Sequence, residues 1–101
     1  MNNLFVEYDL NKPGQDYPKV HEAIKALGAW ARIHPSFWYV KSPLTASQMA
    51  EKIWRAMDHN DSLIVVDATN NQCSWFHLKP EVEAHLKSYW LQAGTSPSLR
   101  R

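Results

Sequence analysis

The chain has one cysteine, Cys73, so no internal disulfide can form and no thiolate-rich zinc site can be assembled. It has no apolar run approaching the roughly 20 residues that a membrane-spanning helix needs. The opening MNNLFVEYDL lacks both the basic and the long apolar segment of a secretory leader. A cytoplasmic, reducing location without membrane contact is therefore expected. Excess charge of one sign is missing too. Eleven Lys and Arg against 10 Asp and Glu leave a formal charge of +1, so contact with nucleic acid has to come from a local patch. No segment repeats at a solenoid period. None of the five histidines, His21, His34, His59, His77 and His85, makes an H-x-x-x-H metal pair.

What is present suits one small globular domain. The 101 residues are 45% hydrophobic and 21% charged, with room for a single core. The domain is expected over residues 1–92, followed by a disordered polar tail over 93–101, since GTSPSLRR has nothing to bury. Five tryptophans are many for such a chain. One domain of this size cannot easily bury them all, which points to an interface or a stacking surface.

The coarse pattern alternates strands and helices. Leu4 to Leu10 reads as a strand broken by Lys12-Pro13-Gly14. Asp16 is placed to cap a helix carrying Val20, Ala23, Ile24 and Leu27, which Gly28 stops in a left-handed conformation. Ala29 to Ile33 and Phe37 to Lys41 read as two further strands. Thr45 and Gln48 have capping-box spacing ahead of a helix lined by Met49, Ile53 and Met57. Ser62 to Ala68 is an apolar strand, Thr69 to Gln72 a turn, and Cys73 to Leu78 a fifth strand. Pro80 opens a last helix with Val82, Leu86 and Tyr89 or Trp90 on its apolar side.

The order predicts an α+β fold: a ferredoxin-like βαββαβ sandwich with an added C-terminal strand and helix. Strand 1 should then lie between strands 3 and 4, bringing Asp9 near Ser36 on one side and near Asp61 and Ser62 on the other. Phe5, Glu7 and Asp9 share one face of strand 1, opposite Leu4, Val6 and Tyr8. Two helices can cover only one face of the sheet. The other calls for the C-terminal helix or a second copy, and a homodimer is expected.

The stretches FVEYDL, PSFWYVKS and DSLIVVDAT, with helices between them, resemble the CRISPR-associated adaptation family called Cas-two and its relatives, the VapD toxins and SinR-like small proteins. The likeness spans residues 3 to 69. It implies a ferredoxin-like homodimer that binds nucleic acid or nucleotides. It also implies a strand-1 aspartate, here Asp9, that holds Mg²⁺ or Mn²⁺ for endonuclease or endoribonuclease chemistry. Ser36 matches a family serine, but the family's adjacent glutamine is replaced by Pro35. A non-catalytic module binding a nucleotide or a protein, as in phage or defence systems, is one alternative. A VapD-like toxin ribonuclease is another.

Residue chemistry leaves Asp9 two roles. It can ligate a metal that polarises a phosphate, or it can hold the LNKPG amides in an Asx-type turn. Asp61 is the second candidate ligand or a turn residue, and Asp67 a structural carboxylate at the far strand end. His34 and Ser36 are candidates for catalysis beside Asp9, with His34 as a general base. Lys12, Arg32, Trp38 and Lys41 are the candidate nucleic-acid contacts, combining cations with rings that stack on bases.

Overall fold

A computed structural model of the chain describes residues 1–11 and 17–90. Along these run β1 (Asn2–Asp9), α1 (Tyr17–Lys25), β2 (Ala29–His34), β3 (Phe37–Ser42), α2 (Ala46–Trp54), β4 (Ser62–Asp67), β5 (Gln72–Phe76) and α3 (Pro80–Tyr89). The five strands make one antiparallel sheet in the order β2-β3-β1-β4-β5. β1 is its centre, with Val6 opposite Trp38 on one side and Val65 on the other. The expected cap Asp16, the breaker Lys12-Pro13-Gly14 and the tail 93–101 lie outside the described residues. No helix among the described residues is long and apolar enough to cross a membrane.

Alternation along the central strands sorts the side chains. Leu4, Val6 and Tyr8 of β1, Trp38 and Val40 of β3, and Leu63 and Val65 of β4 all turn to one side and are buried. There they meet Val20 and Ile24 of α1 and Ala46, Met49, Ala50 and Ile53 of α2. Each of these valine, leucine, isoleucine and methionine side chains contributes about 1.5–3 kcal/mol relative to exposure. α2 starts where the local signal placed it. The Gln48 amide donates to Thr45 Oγ1 and the Thr45 amide to Gln48 Oε1, both at 3.0 Å. Trp54 extends this layer over β5 by stacking on Phe76, with centroids 4.9 Å apart.

Three expectations change. Gly28 is not a left-handed helix stop. It is required because a Cβ there would overlap the Lys41 carbonyl of β3, which crosses directly against it. β5 ends at Phe76 rather than Leu78, because His77 takes φ 60°, which no strand continues through. In α3 the half-buried stripe is Glu83, Leu86 and Trp90, while Val82 and Tyr89 stay exposed, Tyr89 by 72%. The Trp75 indole N–H sets that rotation by donating to Glu83 Oε2 at 2.9 Å.

Candidate functional site: the end of strand β1

The Tyr-Asp pair that closes β1 divides between the two faces of the sheet. Tyr8 points into the core and is buried; its hydroxyl donates to the Pro35 carbonyl at 3.1 Å and accepts from Trp38 Nε1 at 3.4 Å. Its amide donates to the Ser36 carbonyl at 3.1 Å, which fixes the β2–β3 turn against β1. Asp9 points the other way, is exposed, and pairs in register with Ser62. It therefore lies in the strand itself, one residue before the chain leaves the sheet.

The loop-holding role falls to Asp61, not to Asp9. Asp61 is 1% exposed; Oδ1 accepts the Asn11 amide at 2.8 Å and Oδ2 the Asp58 amide at 2.7 Å. Its backbone carbonyl also meets His77 Nδ1 at 2.8 Å. Both carboxylate oxygens of the proposed second ligand are thus committed to backbone amides that would otherwise be unpaired. Asp67 does the same work at the opposite end of β4, where it pairs with Leu4. It accepts from the Thr69 and Asn70 amides at 3.0 and 3.1 Å and from Asn70 Nδ2 at 2.7 Å.

Asp9 has a different carboxylate neighbour, Glu7, which composition alone did not single out. Both lie on the face that α1 and α2 leave open. The Ser36 hydroxyl donates to Glu7 Oε2 at 3.2 Å. Burial raises the Glu7 carboxyl above its usual range, the Ser36 bond offsets part of this, and the charge of Asp9 adds to the rise. The Ser36 hydroxyl therefore serves Glu7. His34 stacks on Phe37 with centroids 6.4 Å apart, so its ring is the first of a row across the open face. Phe37 stacks on Phe5 at 5.8 Å, and Phe5 meets Tyr39 at 5.5 Å. The Tyr39 hydroxyl closes the row by donating to Asn3 Oδ1 at 2.6 Å. No group of three or more His, Cys, Asp or Glu side chains converges among the described residues.

The candidate nucleic-acid residues are dispersed. Trp38 is 1% exposed and lies under Trp30, Arg32 and His21, so its ring cannot stack on a base; burial overrules that role. Arg32 stands on the helix-bearing side of the sheet with Trp38, its register partner. Lys41, opposite Asn3, is exposed on the open face. Lys12 lies outside the described residues. No family model matches this chain, and no curated protein matches it.

Proposed function

We propose that the chain works as a homodimer closed through the open face of its sheet, and that the dimer binds nucleic acid or nucleotides, as in the Cas-two-like proteins its sequence resembles. The segment from β1 to β4 then corresponds to a ferredoxin-like sandwich, extended by β5 and α3. The observation that carries the reading is the half-buried aromatic row on the face opposite α1 and α2, where α3 stands over β5 with Glu83 accepting from Trp75, the register partner of Ile64. Phe37, Phe5 and Tyr39, with Ile64 and Val66 beside them on β4, are only half-buried, and neither α1 nor α2 covers them. A second copy related by a two-fold axis removes this surface from water on both chains at once.

Such an interface brings two copies of Glu7 and Asp9 toward each other, and that supports a second reading, metal-dependent phosphodiester cleavage. One chain alone does not fit a divalent cation. Mg²⁺ or Mn²⁺ takes about six oxygen ligands, whereas Asp61 is committed and Ser36 is turned to Glu7. Carboxylates doubled across the axis would repel one another unless protonated or bridged by a cation.

The reading is tested by sedimentation of the wild type and of Phe5→Glu, together with binding of labelled single-stranded RNA and DNA. A wild-type dimer that Phe5→Glu dissociates, and that retains a strand, is expected. A wild type that is monomeric at micromolar concentration and retains neither strand overturns it. Cleavage with Mg²⁺ or Mn²⁺ that survives Asp9→Asn removes the metal reading alone.

A further inference from the structure

On the side of the sheet that carries α1 and α2, α1 and β2 gather rings and cations at the β2 edge. Trp30 pairs with Val40 and Arg32 with Trp38, and both partners are buried on that side. The rings of Trp30 and Trp38 meet at 5.5 Å. Lys25 Nζ stands 4.9 Å from the Trp30 ring centre, and the Arg32 guanidinium stands 5.3 Å from that of Trp38. His21 of α1 completes the group, its ring 5.4 Å from Trp38.

Two properties distinguish this cluster from ordinary surface packing. Arg32 is held in place before any ligand arrives. Its Nε and Nη2 both donate to the Pro35 carbonyl, at 3.2 and 2.9 Å, and its face lies on a buried indole. A cation fixed in this way has already lost the rotamer freedom that ligand binding normally costs. Yet no carboxylate pairs with Arg32 among the described residues; the one acid in the group, Glu22, lies 3.8 Å from Lys25. The positive potential is felt at His21, where burial first, and then the charges of Arg32 and Lys25, lower the imidazole's affinity for a proton. The second property is that Trp30 is 46% exposed beside these cations. Trp30 and Arg32 are two residues apart on one strand and share a face, so their Cα atoms stand about 7 Å apart along it. One nucleotide spans that distance, with its base on the ring and its phosphate on the guanidinium N–H groups that Pro35 and His21, 3.4 Å from Nη2, leave open.

We propose that Trp30, Arg32 and Lys25, with His21 beside them, form a site for one stacked, phosphorylated nucleotide. The site rests on the nucleic-acid reading above and gives it a location. It lies on the opposite side of the sheet from Asp9, so a dimer closed through the open face leaves it accessible. The ligand is either a free nucleotide or one unit of a single strand, and the chemistry of recognition is the same for both.

The test follows the Trp30 indole and His21 ring signals of the full chain by NMR. Adenosine 5′-monophosphate, inorganic phosphate and a short oligothymidylate are each added in turn. Both signals are expected to move with the oligothymidylate. If they also move with the mononucleotide, the source is a free nucleotide; if only with the oligomer, it is a strand. Trp30→Ala and Arg32→Lys, with folding checked by circular dichroism, should each weaken the binding about tenfold or more. Movement with inorganic phosphate as strong as with the nucleotide overturns the stacking half of the site. A wild type that binds the strand while both signals stay still, and while Trp30→Ala binds equally well, overturns the site and leaves the nucleic-acid reading intact. A wild type that binds no strand and no nucleotide overturns both.

Discussion

Ser36 donates its hydroxyl to Glu7 Oε2 at 3.2 Å, so the serine expected beside Asp9 is engaged by the carboxylate two residues before Asp9. The bond lies on the open face, where burial and the charge of Asp9 hold the Glu7 carboxyl above its usual range. The sign of the consequence is definite. A carboxyl that binds its proton more tightly folded than unfolded contributes stability below its ordinary pKa, and loses it as pH rises through the folded value. At neutral pH ionised Glu7 is therefore a small liability. Glu7→Gln keeps an acceptor for Ser36 and should melt at or slightly above the wild type at neutral pH, within about 0.5 kcal/mol. The difference should close as pH falls below the ordinary glutamate range. A clear loss at neutral pH would show the ionised form to be the stabilising one.

Gly28 gives a larger effect, for a steric reason. The atoms that an added Cβ meets are the Lys41 carbonyl and the Ser42 Cβ, parts of a strand paired on both sides and unable to retreat. Gly28→Ala should cost about 2 kcal/mol or more, read as a lower urea midpoint with the slope unchanged. A midpoint within error of wild type would mean that β2 shifts along β3 freely, contrary to the pairing observed.

Asp61 separates a structural carboxylate from a ligand. Asp61→Ala leaves the Asn11 and Asp58 amides without their acceptor and should cost about 2–4 kcal/mol. Because the loss is one of hydrogen bonds, a chelator should leave the wild-type melting temperature unchanged. A wild type destabilised by chelator down to the level of Asp61→Ala would restore Asp61 as a metal ligand.

These residues also mark what could be read from sequence. The Thr45–Gln48 capping box was legible because its partners are three residues apart and need no tertiary context. The alternation that sets Trp38 and Val40 against Phe37 and Tyr39 was equally legible, as was the flanking of β1 by β3 and β4. Which side the helices cover was not, and this decides that Trp38 is core while Phe37 is open. Which of Asp9 and Asp61 holds the loop was not legible for a similar reason. Both are aspartates beside turns, each open to a turn or a ligand role, and only the register of β1 against β4, which brings Asn11 to Asp61, gives the loop amides to Asp61. Gly28 looked like a helix stop because the approach of Lys41 is a contact between distant segments.

Cys73 provides a probe of the open face. It pairs with Val66 on β4, and its half-burial pushes the thiol up to about 11. The thiolate is the reactive form, so at mildly alkaline pH the thiol should be alkylated about 100-fold more slowly than an ordinary cysteine. The rate should climb with pH until it levels near the raised value. Because Cys73 shares its face with the aromatic row, a dimer closed through that face shields the thiol further. Dilution below the dissociation constant should then speed alkylation, and Phe5→Glu should reproduce the faster rate at any concentration. A rate independent of both dilution and Phe5→Glu would place the dimer contact elsewhere on the chain.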